Sequence, residues 1–392
     1  MKKILINGGG HSEIPLILAS KKLGFYTITT GFNKDGLGHT YSDEYIYADF
    51  SDQTQIEDIV KTHHIDFVIP ACNDFSILTT TSINEKISIG IFDSYETTKL
   101  LHHKSRFKTL ALELGLNVAQ SITFDKTESI EKLTHLQYPL IIKPIDLSGG
   151  KGVTKIDNQN QLDDAINKAF ISTKEKSILI EEFIEGSHHS CSILIKNKKI
   201  ILSFFANEYF YKNPYLVEGA YSNDDIDNTI KKNILKDSQT LIDTLNLSDG
   251  LLHIQFIIKD DTPYILEITR RSPGDLYLNL VSYSMGIDFA SLIIKLHIGT
   301  LDKLDIKDTK QKAILRHCLM SDTNGKISEL YFDNNLKKYL FDKLLWYRKD
   351  DIIENYLTYK AGIIFAEFED IYTLQNMLKD IHNLIQIKTR TK

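Results

Sequence analysis

The stretch His253–Asp275, HIQFIIKDDTPYILEITRRSPGD, constrains this chain more than any other, because it sets polar groups at alternating positions within two otherwise apolar runs. The β-rich runs His253–Ile258 and Tyr264–Thr269 flank the turn-prone residues Lys259–Pro263. This pattern predicts an antiparallel hairpin with Ile258 opposite Tyr264 and Gln255 opposite Glu267. Side chains alternate faces along a strand. His253, Gln255, Glu267, Thr269 and Arg271 are therefore expected on one face, and Ile254, Phe256, Leu266 and Ile268 on the other. Directly opposed residues lie roughly 5 Å apart at Cβ, close enough for Gln255 and Glu267 to share one cation. A half-solvated hairpin with its polar residues outward has the same pattern, so the remainder of the chain must decide.

With 392 residues, 42% of them hydrophobic, the chain is long enough for two or three domains with sizeable cores. A net charge of −6, with acids and bases interspersed, lacks the broad basic surface of a duplex-binding protein, so no nucleic-acid partner is expected. Cys72, Cys191 and Cys318 are scattered in or beside apolar runs, without zinc or redox spacing, and read as free thiols in a reducing compartment. The apolar part of the amino terminus is too short for a signal peptide, and no run reaches the ~20 apolar residues of a membrane span. The expectation is a cytoplasmic protein without a membrane partner.

Residues 1–95 alternate short apolar runs with amphipathic segments. Lys3–Asn7, Tyr26–Thr30, Glu44–Ala48, Phe67–Pro70 and Ser88–Phe92 read as buried strands, the pattern of a Rossmann-like parallel sheet flanked by helices. Gly8-Gly9-Gly10 follows the first strand and precedes a helical stretch, as in sheets that bind phosphate at a helix amino terminus. The second strand, however, ends Thr29-Thr30-Gly31-Phe32-Asn33, without the acid that would hold the ribose of NAD.

Further on, Leu100, Phe107, Ala111 and Leu114 predict a helix from Lys99 to Leu114, closed by Gly115. Lys104 lies on its apolar stripe and must either snorkel to water or meet an anion. The apolar strand Pro139–Pro144 carries Lys143 near its end. Next come Ser148, Gly149, Gly150 and Gly152, which suit a mobile loop whose amides can close over phosphates. The strand Ser177–Ile184 ends in Glu181-Glu182-Phe183-Ile184, which by itself reads as a charged loop beside a strand. The aromatic segment 206–222, with Tyr209, Phe210, Tyr211, Tyr215 and Tyr221, reads either as a substrate-facing loop or as local packing. Residues 223–246 and the segment from Pro273 to about Gly299 look helical, and Asp302–Lys312 reads as a linker. The tail, with strands Ala313–Met320 and Gly362–Glu367 and a helix over Tyr372–Leu384, reads as a small α+β cap.

Taken in this order, the pieces resemble the ATP-grasp superfamily of ligases over essentially the whole chain, and more closely the branch that holds biotin carboxylase, carbamoyl-phosphate synthetase and the amino-acid ligases. The resemblance implies a mixed α/β and α+β architecture: a Rossmann-like pre-ATP-grasp domain (1–95), an ATP-grasp domain (96–300) with a mobile lid at about 120–200, and a C-terminal α+β cap (301–392). It implies that Lys104 and Lys143 are the two ATP lysines and that Ser148, Gly149, Gly150 and Gly152 form the glycine-rich flap. It places Glu181, Glu182, Phe183 and Ile184 in the hinge that grips adenine, largely through backbone groups. Gln255, Glu267 and Thr269 would face magnesium, with manganese as an alternative, while Arg271, Lys143 and Glu267 would act on the reacting phosphate. The charges of ATP supply the anion that two semi-buried lysines need. Arg270, on the opposite face from Arg271, reads as structural.

The implied reaction is attack of a small carboxylate on the γ-phosphate, giving ADP and an acylphosphate, and then attack of an amine with loss of phosphate to leave an amide. Three positions depart from the family pattern. Thr269 stands where asparagine is common, Gln255 replaces the more usual glutamate, and Gly186-Ser187-His188-His189 lacks the acid often found near the ribose. These departures keep open an inactive ATP-binding regulator, and Gly8–Gly10 keeps open a dinucleotide-dependent oxidoreductase. Arg316 or His317 is expected to face the substrate carboxylate, a one-residue register error exchanging the two. The resemblance alone suggests a homodimer.

Overall fold

The computed structural model describes residues 1–147, 150–304 and 311–390. In the first part, β1 (Lys3–Asn7), α1 (Ile14–Lys22), β2 (Tyr26–Gly31), β3 (Glu44–Tyr47), α2 (Gln53–Thr62), β4 (Phe67–Pro70) and α3 (Asp74–Asn84) build a parallel sheet of order β3-β2-β1-β4. Asp52 and Asn73 cap α2 and α3 by accepting their first amide hydrogens. Four of the five expected strands form. Ser88–Phe92 does not: Val68 N donates to Ile89 O (3.1 Å) and Ile91 N to His297 O (2.7 Å), so the segment makes one bond to β4 and then turns to a distant helix end instead of extending the ladder. The triple-glycine turn is packed by the protein's own chain. Gly38 N donates to Gly9 O (2.9 Å), and a Cβ on Gly9 would stand 2.0 Å from the His39 ring. A pyrophosphate cradle requires that space to be open, so this turn does not support the dinucleotide reading.

The expected helix 99–114 is two helices, α4 (Tyr95–His102) and α5 (Lys104–Glu113). His103 leaves the helical region (φ −89°, ψ 110°), and its ring accepts from Arg106 N as the cap of α5, which restarts the chain with Lys104 as its first residue. Next, β5 (Ser121–Asp125), β6 (Leu140–Pro144), β7 (Thr154–Ile156), α6 (Leu162–Ser172) and β8 (Ser177–Glu182) form a sheet of order β5-β8-β6-β7 with α6 against it.

The chain continues through β9 (Ser187–Lys196), β10 (Lys199–Tyr209), β11 (Gly219–Ser222), α7 (Asn228–Leu245), β12 (Gly250–Lys259), β13 (Thr262–Thr269), α8 (Tyr277–Met285) and α9 (Phe289–His297). The tail adds β14 (Ala313–Leu319), β15 (Gly325–Phe332), β16 (Leu340–Leu345), β17 (Ile352–Ile353), β18 (Gly362–Phe368) and β19 (Ile385–Arg390). One eight-stranded sheet, β13-β12-β9-β10-β11-β14-β18-β16, runs from the centre into the tail, and a small sheet β17-β15-β19 lies beside it. Three strands of the tail, β14, β18 and β16, thus extend the central sheet.

The middle strand β9 is buried on both faces. Cys191, Ile193 and Ile195 pack with Phe107 and Ala111 of α5 and Ile234 and Ile242 of α7. On the other side Leu194 joins Leu280, Phe289 and Ile293 of α8 and α9 together with α1 of the amino-terminal part. At the other end of that second face stand Ser190 and Ser192, so the sheet changes from apolar to polar along one strand. Cys191 and Cys318 are buried, Cys72 is half-buried, and all three are free thiols. Among the described residues no single helix is long and apolar enough to cross a membrane.

Candidate active site

The β12–β13 hairpin pairs Gln255 with Glu267 and His253 with Thr269. Nearer the turn the register differs from the sequence expectation. A β-bulge between Gln255 and Phe256 leaves Leu266 unpaired, so Phe256 faces Ile265 and Ile258 faces Pro263. The bulge reverses the face of two residues: Ile265 is in the core, and Leu266 lines the cavity instead of packing with Ile254 and Ile268. The turn is Asp260-Asp261, both at positive φ (47° and 57°), joined at Lys259 and Thr262. That is a two-residue hairpin turn of the kind that matches strand twist, not five residues of loop.

A cavity of about 700 Å³ opens over this hairpin, a volume that suits a nucleotide-sized ligand. Lys104, Lys143, Gly150, Glu181, Glu182, Phe183, Ile184, Gln255, Glu267, Thr269 and Arg271 all line it. Gly152 does not; it is held at φ 71° against Pro144 and Ser172. Ser148 and Gly149 lie outside the described residues. Gly150, at φ 73°, is pressed on Tyr215, where an added Cβ would meet Tyr215 Cβ at 2.5 Å. In segment 206–222, Phe210, Tyr215, Leu216 and Val217 face the cavity, while Tyr209 and Tyr221 pack into the tail core and Tyr211 stacks on His382. The segment therefore divides between cavity lining and local packing.

The polar groups are fixed by partners from far along the chain. Lys104 Nζ donates to Leu147 O at 2.5 Å. Lys143 Nζ meets Glu181 Oε1, and Lys108 Nζ stands 3.4 Å from Glu181 Oε2 and donates to Ile265 O (3.3 Å). Burial alone would raise the Glu181 carboxyl, but the two ammonium groups outweigh it and hold it down at about 2. Burial draws the Lys108 ammonium below its usual value, against the pull of Glu181. Arg271 Nε donates to Asp74 Oδ1 (3.0 Å), which also meets His102 Nδ1 (2.9 Å), and His102 Nε2 accepts from Arg270 N (3.0 Å). That chain defines the ring as donating through Nδ1 and orients Arg271 from the amino-terminal sheet. Asp74 is held well below the carboxylate range: burial acts to raise it, but Arg271 and His102 dominate. Arg270 is enclosed, with Nε on Asp93 Oδ2 (2.6 Å), Nη1 on Leu251 O (2.6 Å) and Nη2 on Ser248 O (2.7 Å).

Gln255 Nε2 donates to Glu208 Oε2 (2.7 Å), which turns the amide oxygen away from Glu208. Burial raises the Glu208 carboxyl, against hydrogen bonds from Gln255 and Ser190. His253 Nδ1 meets Ser192 Oγ (2.9 Å), and burial lowers its pKa to about 3, so the ring is neutral near pH 7. Thr269 Oγ1 donates to Arg271 O (3.0 Å). Glu267 faces the cavity with no hydrogen bond or ion pair among the described residues. An unpaired carboxylate opposite an amide oxygen is an oxygen donor set suited to magnesium or manganese held together with ligand phosphates. Among the described residues no three His, Cys, Asp or Glu side chains form a self-sufficient metal cage.

In β14, Arg316 lines the cavity, its Nη1 donating to Asp275 O (3.0 Å), while His317 faces away and meets Tyr209 Oη (2.7 Å). The register thus selects Arg316 as the cavity-facing residue. Asp275 also accepts from Lys360 (2.5 Å) and meets His11 (3.3 Å). Sequence reasoning missed Lys108, Asp74 and Glu208. Lys108, four residues after Lys104 on the same helix, was the detectable one, because that spacing repeats the helical face.

A family model described as an ATP-grasp domain matches residues 102–274. The arginine-specific carbamoyl phosphate synthase large chain of Bacillus subtilis (strain 168) is 25% identical over 324 residues, taking in 76% of this chain and 30% of that protein. Among solved structures, the phosphoribosylglycinamide synthetase from Anaerococcus prevotii superposes with a TM-score of 0.79 at 23% identity, covering 99% of this chain and 100% of that one. The L-amino acid ligase from Bacillus licheniformis does so with a TM-score of 0.84 at 17% identity, covering 100% and 99%. The hairpin, the two lysines and the cavity between two sheets all fall inside or against the matched segment, so residues 102–274 are identified as an ATP-grasp domain.

Proposed function

We propose that the chain is an ATP-dependent ligase that activates a small carboxylate as an acylphosphate and transfers the acyl group to an amine, releasing ADP and phosphate. The observation that carries this reading is the rung Gln255–Glu267, a cavity-facing amide and an unpaired carboxylate, flanked by Lys143 and Arg271 in one cavity. Lys143 and Lys104 would meet the phosphates, with Glu182 to Ile184 against the base. Glu267 and the Gln255 oxygen would hold magnesium, with Thr269 at its edge. Magnesium held by these residues would supply positive charge against the phosphates. Arg271, held in place by Asp74, offers a planar fork to the transferred phosphoryl group. Arg316, across the cavity, would take the anionic end of the substrate. No nucleophilic side chain is required, because phosphate is the leaving group. The resemblance to an L-amino acid ligase supports amino acids among the first substrates to try.

The test is magnesium-dependent ADP release over a matrix of amino acids and other small carboxylates against amines, with Glu267→Ala as the blank. Turnover that requires carboxylate, amine and Glu267 together is expected. ADP release that persists in Glu267→Ala, or that no pair of substrates stimulates, would overturn the reading.

A further inference from the structure

Lys108 is a charged group that stands behind the cavity without lining it. Its side chain is 2% exposed, against 14% for Lys143. Both lysines nonetheless hold the same carboxylate, from opposite oxygens: Lys143 on Glu181 Oε1 and Lys108 on Glu181 Oε2. Lys108 has a second anchor, Ile265 O on β13 (3.3 Å), and projects from α5 within the core formed by Phe107 and Ala111. Lys143 stands at the end of β6 with one ion-pair partner and open cavity before it. One ammonium is held at two points and the other at one, with the cavity before it. A buried carboxylate left without a cation is strongly disfavoured, so Lys143 could leave Glu181 for a phosphate only if something else stays with that charge.

We propose that Lys108 is a positioning residue that keeps Glu181 paired so that Lys143 can exchange between Glu181 and the phosphates of a bound nucleotide. This rests on the reading of the cavity as the ATP site. Glu181 then acts as a parking place for Lys143 in the empty protein, and Lys108 limits how tightly it holds. Without Lys108, Glu181 would have Lys143 alone, and nucleotide would have to break that pair without compensation.

The experiment is titration calorimetry of the full chain with ATP and magnesium, and with adenosine in competition, for wild type, Lys108→Met, Glu181→Gln and the double variant. Lys108→Met is expected to raise the Kd for ATP at least tenfold, with adenosine affinity within threefold of wild type. The double variant should return the ATP Kd to within threefold, because removing the parking place frees Lys143. A Lys108→Met chain with unchanged ATP affinity, with equal losses for ATP and adenosine, or with no rescue by Glu181→Gln would overturn the proposal. If Lys108→Met does not fold, Glu181→Gln decides: ATP binding as tight as wild type or tighter supports the exchange, and weaker binding refutes it. A wild-type chain that binds neither ATP nor adenosine overturns the nucleotide-site reading itself, and the proposal with it.

Discussion

Arg271 is aimed by a carboxylate 197 residues away in sequence, and that distance makes a residue-scale prediction possible. Asp74 contributes one charge-assisted hydrogen bond, worth roughly 1.5–3 kcal/mol when made to a charged group. Asp74→Asn should therefore leave the fold intact and lower kcat/KM for ADP release about tenfold to a hundredfold. Combined with Arg271→Lys, its effect should be less than additive, since both changes disturb one contact. Steady-state kinetics on the two single variants and the double check this; full activity in Asp74→Asn would remove Asp74 from the site. The same distance explains what the sequence could not convey. Gln255, Glu267 and Arg271 were legible because two-residue periodicity within one hairpin places them on one face. Asp74, Lys108 and Glu208 act through partners 197, 157 and 47 residues away. No local period encodes such pairs.

Elements carry constraints that single residues do not. Gly150 sits at φ 73° with Tyr215 packed against it, so Gly150 and the aromatic segment after β10 line the cavity side by side. Gly150→Ala adds left-handed strain of ~1–2 kcal/mol and pushes the two apart. It should raise the KM for ATP about tenfold and lower the unfolding midpoint by roughly 2–4 °C, measured by initial rates and thermal melts of the same samples. In the same segment, Glu218 is 2% exposed, and burial, only partly countered by Lys360, raises its pKa from 4.5 to about 8. Between those values the folded chain keeps a proton that the unfolded chain releases, so Glu218 makes stability fall as pH rises from about 4.5 to 8, by on the order of 2–4 kcal/mol. Urea midpoints at pH 5 and 8.5 should differ less for Glu218→Gln than for wild type; an equal difference would rule this out. At this scale the sequence was read well where apolar runs are long, as in β1, β2, β4 and β14. It was read poorly where one residue decides, as with the bulge at Leu266, the Asp260-Asp261 turn and the helix break at His103. Hydrophobic pattern fixes a face over several residues, whereas a single inserted residue or a departure of one ψ angle leaves the pattern nearly unchanged.

For the whole molecule, the question is whether the amino-terminal sheet is a separate body or part of the site. Its contacts favour the second. Asp74 reaches Arg271, Asp93 reaches Arg270, and His11 meets Asp275 while stacking at 4.2 Å on Trp346, the one tryptophan, from the tail. Asp93 and Arg270 are each 4% exposed at the side chain, and Asp93 also accepts from Ser248 N at 2.6 Å, so one carboxylate closes both a buried ion pair and a loop. Removing it leaves a guanidinium in the core with its other donors still tied to Leu251 and Ser248 carbonyls, a loss of roughly 3–5 kcal/mol. Asp93→Ala should consequently lower the urea midpoint for the whole chain. The fluorescence of Trp346, which reports the amino-terminal to tail contact, should shift together with far-UV circular dichroism, which reports all the sheets, because the first 95 residues and the eight-stranded sheet share the buried groups on which both depend. If Trp346 fluorescence moved and the circular dichroism transition did not, the amino-terminal sheet would be an independently folding unit, and orientation of Arg271 by Asp74 would be a contact of docking and not of one cooperative core.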